Sequence, residues 1–424
     1  MVYLAIILFF CLGYLAIIFE KALHVNKAAV ALVMGVGCWL LYFAGFKGHE
    51  APLPVLYEHI SDVAQIIFFL FAAMIIVELI DSHQGFKVIT ELLYSSSKRK
   101  MLWFFLIISF FMSSVLDNLT TMIVMASLLK KMIQDDEDRW MLGSIIVIAV
   151  NAGGAWTPIG DVTTTMLWIN NKITTWETIK TVFLPSAMNA VVAGVIASFL
   201  IRGKHKSRAT TFAIPQEPGA RRVLIMGIGS LVLIPFWKAI FDLPPALGAL
   251  LGLGILWLVT DLIHFRYGEK RWHLRVAHIL KKIDTSGILF FLGILLAVDA
   301  LTAAGILKNL ALSVEKIIPN QNHIAVLIGL ASSVVDNVPL VAATMGMYDP
   351  QAFPQDASLW QLIAYAAGTG GSILIIGSAA GVAFMGLEKI DFIWYFKKIS
   401  WVALVGYFAG IITYFLTASI RLLT

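Results

Sequence analysis

Charged side chains are scarce in this chain: Asp, Glu, Lys and Arg make up 13% of its 424 residues, while 59% are hydrophobic. A soluble core of this size has no room for so much apolar surface, so the composition excludes a soluble protein. Apolar runs of about 20 residues recur, the length that a helix needs to cross about 30 Å of hydrocarbon. The net charge of +5 comes largely from short basic loops and does not indicate a nucleic-acid partner.

Cysteine is nearly absent as well. Cys11 and Cys38 lie within apolar runs, with no CxxC pair and no histidine nearby, which excludes a zinc site and favours a packing role. The sequence contains no HExxH, P-loop or GxSxG arrangement, so neither an enzyme nor a cofactor is expected. The first run, MVYLAIILFF, has no basic segment and no cleavage site before Glu20, which predicts a transmembrane helix rather than a signal peptide.

What the sequence does contain is a repeated pair of motifs. SSVLDN at 113–118 recurs as SSVVDN at 332–337, and NAGGAWTPIGD at 151–161 aligns with GTGGSILIIGS at 368–378. The longest polar stretch, residues 202–222, lies between the two sets. Internal repeats with Gly-interrupted segments at matching positions are typical of secondary transporters and indicate where they bind their ligands. We therefore predict two related halves on either side of this polar linker.

The charges of the loops predict the side of the membrane on which each loop lies. Basic residues concentrate in loops that the positive-inside rule places in the cytoplasm, at 20–27, 87–100, 202–222, 266–282 and 388–398. Segments 47–62 and 349–358 contain more acidic than basic residues and are expected outside. With this assignment both termini lie outside and the 202–222 linker is cytoplasmic.

The run from Met101 to Leu129 does not fit a single crossing, because the basic residues at its two ends would then lie on opposite faces. A re-entrant hairpin removes the conflict, with arms at 101–116 and 119–134 and SSVLDN at its tip. Non-helical backbone at that depth must be buried in protein or line a water-filled cavity, so the tip is expected to face a binding site. The same argument predicts a second hairpin at 323–347, entering from outside.

The remaining apolar runs predict ten crossings, five in each half. Their expected bounds are 1–19, 28–45, 63–81, 141–169, 182–201, 223–241, 246–264, 284–304, 359–386 and 399–418. An odd number per half inverts the second half relative to the first, as in many transporters. The two longest runs, 141–169 and 359–386, carry central Gly pairs and are each expected to be two half-helices around an unwound loop. The predicted fold is an all-α polytopic membrane protein with two inverted-topology repeats, two re-entrant hairpins and two broken helices.

Carboxylates inside these apolar segments are the strongest functional signal. A charge at the bilayer centre costs at least about 2.5 to 3.5 kcal/mol, so Asp117, Asp161 and Asp336 are expected to have a function. The sequence has no Lys or Arg at the corresponding depth, which favours a cation as the ligand. Oxygen donors that suit a small hard cation are also present. The supporting donors are Ser113, Thr120, Thr121 and Ser372, with the carbonyls of Gly153, Gly154, Gly370 and Gly371.

Carboxylates among the ligands also predict a mechanism. Burial raises the pKa of a carboxyl group and a bound cation lowers it, so a proton and a cation compete for the same group. Competition of this kind produces antiport, with the proton bound on one side of the membrane and the cation on the other.

At these motifs the sequence resembles the NhaD-type sodium/proton antiporters of the ion transporter superfamily, over nearly the whole chain. The segments that carry the resemblance are VELIDSHQGF at 77–86, SSVLDNLTT at 113–121, NAGGAWTPIGDVTTT at 151–165, SSVVDNVPL at 332–340 and GTGGSILIIGSAAG at 368–381. The resemblance implies export of Na⁺ or Li⁺ in exchange for protons across a bacterial inner membrane, by alternating access and without a cofactor. It also implies a homodimer whose protomers each contain a scaffold and a mobile transport domain.

The resemblance assigns parts of the chain to these two domains. In the first repeat, 1–201, it implies scaffold helices at 1–81 and transport elements at 101–201; in the second, 223–424, it implies scaffold helices at 223–304 and transport elements at 323–424. The ion-site residues that it implies are Asp117, Asn118, Asn151, Asp161, Thr163, Thr164, Ser332, Asp336 and Asn337.

The two halves are chemically unequal. The Thr pair after the first tip corresponds to a Pro-Leu pair after the second, and Asp161 corresponds to Ser378. The tighter cation site is therefore expected near Asp117 and Asp161, while the Asp336 side supplies a second ligand set or the proton route.

Glu78, Asp81 and His83 form a further candidate set near the end of an apolar run. Because histidine titrates near neutral pH, they are candidates for a cytoplasmic proton funnel or a pH sensor. The alternative is an ordinary helix end with solvated charges.

Two other classes of function stay open at the level of the sequence. The same superfamily includes transporters of anions such as dicarboxylates and arsenite, although the hairpin tips have no basic residue to hold an anion. A membrane enzyme or a channel is the second alternative. Hairpins that enter from opposite faces suit alternating access better than a continuous pore.

Overall fold

In this computed structural model the described residues are 2–46, 53–86, 97–201, 217, 219–265, 271 and 273–421, and they form α-helices without a β-strand. The helices of the first half are α1 (Val2–Ile18), α2 (Glu20–Leu23), α3 (Lys27–Ala44), α4 (Leu53–Ser82), α5 (Lys98–Leu116), α6 (Asn118–Met132), α7 (Asp136–Gly154), α8 (Val162–Ile169) and α9 (Thr175–Leu200). Those of the second half are α10 (Ala220–Phe241), α11 (Pro245–Phe265), α12 (Val276–Ile279), a 3₁₀ turn (Leu280–Lys282), α13 (Thr285–Ala303), α14 (Ile306–Ile317), α15 (Gln321–Ala331), α16 (Asn337–Met347), α17 (Ser358–Gly370), α18 (Ala379–Glu388), α19 (Phe392–Lys398) and α20 (Ser400–Arg421).

Hydropathy confirms the fold class of an all-α polytopic membrane protein. Among the described residues, eight helices are long and apolar enough to cross a membrane: α3, α4, α5, α9, α10, α11, α13 and α20. One of them, α5, is the first arm of the expected hairpin, and the 17-residue α1 falls just below the length required.

Helix α4 begins before the predicted start of the third crossing, near residue 63. Helix α4 begins at Leu53 and runs for 30 residues to Ser82. At 1.5 Å per residue it is about 45 Å long, which exceeds the hydrocarbon thickness. The polar sequence EHISD, which reads as a loop by hydropathy, therefore forms helix that extends the crossing beyond the apolar region.

Both long apolar runs are broken helices, as predicted, but the breaks follow the Gly pairs. Helix α7 ends at Gly154 and α8 begins at Val162, while α17 ends at Gly370 and α18 begins at Ala379. Each second half-helix is capped by the residue before it. The Asp161 carboxylate accepts from the Thr163 amide at 2.8 Å, and the Ser378 hydroxyl accepts from the Gly381 amide at 3.1 Å. Such caps satisfy amide groups that the break leaves without a partner.

The glycines before the breaks allow close helix packing. A Cβ atom on Gly153 would lie 2.1 Å from the Phe110 carbonyl oxygen of α5, and one on Gly370 would lie 1.8 Å from the Gly329 carbonyl oxygen of α15. Under the motif alignment residue 110 corresponds to 329 and residue 153 to 370, so the same contact occurs once in each half. Small residues of this kind let membrane helices approach closely.

One end of the molecule, here called the linker face, includes Ile201 at the start of the 202–222 segment. The Arg99 guanidinium donates to the Ile201 carbonyl at 3.4 Å, and the Lys98 ammonium donates to the Asp138 carboxylate at 2.7 Å. Lys98 begins α5, and Asp138 lies in the first turn of α7. The pair formed by α5 and α6 therefore starts and ends on the same face.

The halves are joined at both faces by corresponding contacts. On the linker face, Arg139 donates to Glu388 at 2.8 Å. On the opposite face, Asp356 accepts from both the amide and the hydroxyl of Thr174 at 2.7 Å. Residues 139 and 356 correspond under the motif alignment; Arg139 contacts the last residue of α18, and Asp356 contacts the residue that caps α9.

We predict that Gly370→Ala lowers the melting temperature of the detergent-solubilised protein. The added methyl group must displace the α15 backbone, and overpacking of this kind costs about 1 to 3 kcal/mol. Gly386→Ala on α18 is the matched control, because a Cβ atom there meets nothing within 4 Å. Alanine favours helix, so the control is expected to melt at or above the wild-type temperature. Equal melting temperatures of the two variants would contradict the close approach.

Candidate functional site

The first hairpin tip and the first broken helix meet at Asp161. The Asn118 side-chain amide donates to the Asp161 carboxylate at 2.6 Å and to the Asn151 side-chain oxygen at 3.1 Å. Asn118 is the first residue of α6, Asn151 lies one turn before the end of α7, and Asp161 precedes α8. All three are buried. The structure thus brings together three of the residues that the sequence predicted.

Asn151 joins this cluster to the second half. Its side-chain amide donates to the hydroxyls of Ser372 and Ser378, both at 2.9 Å. Both serines belong to the broken helix of the other half. The residue that corresponds to Asn151 in the second half is Gly368, which has no side chain. The bridge therefore exists once per chain.

The Asp161 carboxylate has partners at both oxygens. One oxygen accepts from Asn118, and the other accepts from the amide and the hydroxyl of Thr163, both at 2.8 Å. The Thr164 hydroxyl donates instead to the Asp161 backbone carbonyl at 2.9 Å. The N-terminus of α8 adds a favourable field for a negative charge at this position.

Asp117 lies at the first tip in an unusual backbone conformation, with φ 72° and ψ 159°. A residue with a side chain rarely adopts this region, and such strain tends to occur at functional sites. The Asp117 carboxylate accepts from the Thr120 amide at 2.9 Å and from the Thr120 hydroxyl at 2.8 Å. The Asp117 side chain therefore caps the N-terminus of α6, and the contact with Asp161 is made by the next residue, Asn118.

Asp336 at the second tip has an ordinary backbone conformation, with φ −49° and ψ 134°. Its carboxylate accepts from the Val338 amide at 3.0 Å. Asn337 is buried, but its side chain makes no hydrogen bond to another described residue, in contrast to Asn118. The chemical inequality of the two halves is therefore present at the tips too.

The candidate hydroxyls divide into engaged and available groups. Ser113 donates to the Val150 carbonyl at 2.6 Å, and Ser332 donates to the Ala367 carbonyl at 2.8 Å, so both fasten a hairpin to a broken helix. The Thr121 hydroxyl is buried and has no partner in the described part of the chain. It is the supporting donor that is available to a ligand.

The charges around the site are mostly negative. Asp117 and Asp336 both act electrostatically on Asp161, while the nearest cationic influence on Asp336 comes from Lys27 at the start of α3. In the described ranges no Lys or Arg forms a hydrogen bond or ion pair with these three carboxylates. Those ranges also contain no group of three His, Cys, Asp or Glu side chains arranged for a metal ion. The site therefore offers carboxylate, amide and hydroxyl oxygens, which suit a hard monovalent cation.

Glu78, Asp81 and His83 do not assemble into one cluster. Asp81 is exposed, and Glu78 accepts from Ser82 at 2.9 Å. His83 is fully buried and faces a residue that sequence reasoning missed: its Nε2 lies 2.7 Å from the Nε2 of His264 on α11. The partner is 181 residues away, and neither histidine belongs to the repeated motifs, so no local signal connects them.

Ser378 was also missed as a contact, although the alignment of the repeats contained the signal. It occupies the position of Asp161 in the second half, and its hydroxyl accepts from Asn151. A polar residue at the position equivalent to a proposed ligand was therefore an identifiable candidate.

Comparisons with known proteins agree with this description. A family model described as a citrate transporter, CitMHS, matches residues 14–366. Sodium/proton antiporter 1 of Arabidopsis thaliana is 50% identical over 97% of this chain and 72% of its own length. Sodium/proton antiporter 2 of the same plant is 49% identical over 96% of this chain and 98% of its own length.

A bacterial relative extends the comparison. The Na⁺/H⁺ antiporter NhaD of Halomonas elongata is 27% identical over 91% of this chain and 82% of its own length. Family and relatives alike are transporters, in agreement with the expectation of a carrier rather than an enzyme. The chain therefore belongs to the citrate transporter family, and within it to the NhaD-type group of the ion transporter superfamily.

Proposed function

We propose that this protein is a secondary active antiporter that exports Na⁺ or Li⁺ in exchange for protons. The observation that carries the proposal is the buried Asp161 carboxylate, which Asn118 links to the first hairpin tip without any Lys or Arg partner in the described ranges. The plant and bacterial relatives are named as sodium/proton antiporters, which supports exchange of sodium for protons. No cofactor takes part in the proposed exchange.

The proposed cation site uses Asp161, Asn118 and Asn151, with Asp117 and Thr121 close along the chain. In this structure the side-chain nitrogen of Asn118 donates a hydrogen bond to Asp161. Because a side-chain amide has a donor at one end and an acceptor at the other, rotation of Asn118 replaces a hydrogen-bond donor by a cation ligand. Protonation of the aspartates removes the charge that holds the cation, so the proton and the cation occupy the site in turn.

Packing supports a division into scaffold and transport parts. The first hairpin helix α6 packs on α18, the second hairpin helix α16 packs on α8, and α7 packs on α17. These contacts join the 101–201 and 323–424 elements. Helices α3 and α13 pack together, as do α4 and α11, which joins the 1–81 and 223–304 elements. Under the proposal, the first group moves across the membrane against the second group.

One contact between the two groups depends on their relative position. Lys238 of α10 donates to the Trp168 carbonyl at 2.7 Å and to the Asn171 side chain at 3.0 Å. Its ammonium also lies 4.9 Å from the centroid of the Trp168 ring. A cation at the C-terminal end of α8 is favoured by the helix dipole. In the proposed cycle this contact stabilises one of the two positions of the transport part.

The proposed setting retains the topology expected from loop charges. Both termini lie outside, the 202–222 linker lies in the cytoplasm, and the two hairpins enter from opposite faces. The proposed assembly is a homodimer in a bacterial inner membrane, although relatives occur in a plant as well as in bacteria.

Transport of an anion is the second candidate function, because the matching family is described as a citrate transporter. An anion requires donors or cations at the site. The described residues provide only the distant charge of Lys27, on the Asp336 side. Three carboxylates near one another disfavour an anion there.

We predict that Asp161→Asn and Asp117→Asn each reduce sodium-dependent proton flux in everted vesicles at least about tenfold, a loss of about 1.4 kcal/mol or more. Each substitution removes a charge that attracts the cation and accepts the proton. Asp336→Asn is expected to retain measurable flux with a changed pH dependence, because Asp336 lies outside the Asn118 network. Sodium-dependent proton flux at the wild-type rate in Asp117→Asn would contradict this assignment.

Uptake of labelled succinate, citrate and arsenite into proteoliposomes separates the two candidate functions. Sodium-dependent proton flux without anion uptake is expected. Anion uptake that requires sodium, with no proton exchange, would reverse the proposal in favour of the second function.

We propose further that His83 contributes to a pH sensor at the linker face, but in partnership with His264 rather than with Glu78 and Asp81. The Leu79 carbonyl lies 2.7 Å from His83 Nδ1 and can only accept, so His83 carries its proton there. Neutral His83 then accepts at Nε2, which requires His264 to donate from its own Nε2. His264 Nδ1 is left as a buried acceptor with no partner among the described residues.

Protonation disturbs this pair at either free nitrogen. A proton on His83 Nε2 makes two donors face each other, and a proton on His264 Nδ1 creates a buried donor without an acceptor. Burial lowers the pKa of the His83 imidazole, and His273 and Arg271 lower it further, while the Leu79 carbonyl and Glu217 raise it. The pair is therefore neutral at neutral pH and separates only on acidification.

We predict that His83→Gln weakens the fall of the exchange rate on acidification below about pH 6.5, the ordinary pKa of histidine, while His264 Nδ1 can still take up a proton. Glutamine accepts the His264 hydrogen bond but does not titrate. His323→Gln, an exposed histidine on α15, is the control and is expected to retain the wild-type profile. An unchanged pH profile in His83→Gln would remove the sensor from the proposal.

A further inference from the structure

A cavity of about 440 Å³, lined by both charged and apolar side chains, lies on the face opposite the linker. Its walls come from α4 and α13 on one side and from α16 with the loop after α8 on the other. It therefore lies at the boundary between elements assigned to the scaffold and elements assigned to the transport part.

A histidine-carboxylate pair lies in the scaffold wall of this cavity. His59 Nδ1 of α4 is 3.5 Å from the Asp299 carboxylate of α13, and the two side chains are 21% and 23% exposed. The pair is therefore in contact with water, unlike the pair of His83 and His264. The His59 ring also packs against Trp39 of α3, with 5.7 Å between the centroids.

A second carboxylate, that of Asp62, lies near the same histidine. Asp62 lies one turn after His59 on α4, lines the same cavity, and interacts electrostatically with both His59 and Asp299. Two carboxylates beside one imidazole hold a net negative charge when the imidazole is neutral. A proton on the imidazole reduces that charge, so the group attracts protons from the water in the cavity.

The other charges that face the cavity are engaged elsewhere or lie at its rim. Lys308 of α14 lies 4.0 Å from Asp349, and Lys172, after α8, lies 5.0 Å from the centroid of the Trp360 ring. Glu58, exposed on α4, adds a further negative charge near His59. From α3 the described contact to His59 is the Trp39 ring alone.

The transport wall contains a hydroxyl that lacks a protein partner. Tyr348 follows α16, is 4% exposed and lines the cavity, and its buried hydroxyl makes no hydrogen bond to the described residues. Burial raises the pKa of Tyr348 to about 12, so the hydroxyl stays protonated.

The cavity also approaches the second hairpin tip. Ala342 lines it and lies six residues after Asp336 on α16. At 1.5 Å per residue this is about 9 Å along the helix. Water in the cavity is therefore within two helical turns of the tip carboxylate.

We propose that His59, with Asp299 and Asp62, is a proton-loading site that takes protons from the face opposite the linker and passes them through cavity water towards Asp336. This inference rests on the proposed proton exchange and assigns the side from which protons enter. The imidazole gains one proton from water in the cavity and releases one proton to water on the Asp336 side, so its charge returns to the starting value in each cycle.

The test is sodium-dependent proton flux in oriented proteoliposomes, with the pH varied separately on each side. At about pH 8 on the cavity side, where protons are scarce, His59→Gln is expected to lower the flux about tenfold. At about pH 5.5 on that side the flux is expected to return to near the wild-type value, since an imidazole is no longer needed to collect protons. The dependence on pH at the linker face and the KM for sodium are expected to stay unchanged.

Asp62→Asn and Asp349→Asn complete the design. Asp62→Asn leaves the His59–Asp299 contact in place and is expected to reproduce part of the loss at about pH 8 on the cavity side. Asp349→Asn, in the same cavity but paired with Lys308, is expected to behave as wild type. It controls for a general effect of charge at the cavity.

A wild-type profile for His59→Gln on the cavity side would overturn the proton-loading site. A loss that is equal at every pH, or one accompanied by a changed KM for sodium, would overturn it in favour of a structural role. A wild-type protein that exchanges no sodium for protons would instead overturn the proposed function itself.

Discussion

The constraint on which this structure depends is that backbone freed by the two helix breaks must find hydrogen-bond partners inside the protein. Hydroxyls supply them. Thr165 donates to the Pro158 carbonyl at 2.8 Å, and Tyr395 donates to the Ser372 carbonyl at 2.8 Å. In the reverse sense, Thr157 of the first break donates to the Ser114 carbonyl in the last turn of α5 at 2.6 Å. Each bond joins an unwound segment to a helix or hairpin beside it. The breaks are therefore stabilised by the helices packed against them, and the polar site lies where the first break meets the tip between α5 and α6.

This framework occurs twice, whereas the hydrogen-bond network of Asn118, Asn151 and Asp161 occurs once. Ser113 and Ser332 make the same hydrogen bond in their respective halves, and Gly153 and Gly370 make the same close approach. The side chains in between differ, because the position of Asn151 in one half is occupied by Gly368 in the other. Asn151 reaches across to the serines of the second half. A displacement of either broken helix relative to the other therefore changes the surroundings of Asp161.

The sequence predicted the parts of this structure that depend on periodic or repeated signals. Apolar runs indicated the crossings, and the two motifs indicated the broken helices and the cluster of Asn118, Asn151 and Asp161. Hydropathy failed at the first turns of α4, because a helix that extends beyond the hydrocarbon has no apolar signal there. Hydropathy also placed the breaks at the Gly pairs. In the structure these glycines allow neighbouring helices to approach closely, and each break ends at the residue that caps the second half-helix.

Contacts between distant, unrepeated residues were beyond sequence reasoning for a physical reason. The partner of His83 lies on α11 and the partner of His59 lies on α13, and both pairings depend on how long helices cross. A single histidine in an apolar run has the same local pattern whether it meets a carboxylate, another histidine or lipid. The alignment of repeats does not help, because neither pair has a counterpart in the other half.

The two histidine pairs differ in access to water, and this difference separates the roles proposed for them. His83 and His264 are fully buried, so a proton reaches them only when the helices around them separate. Their protonation is therefore coupled to a change of conformation, as a sensor requires. His59 and Asp299 are in contact with a cavity, so a proton can enter and leave without any movement of the scaffold. A group that must be loaded in every transport cycle has to be of the second kind, because exchange with bulk water is fast only where water already has access.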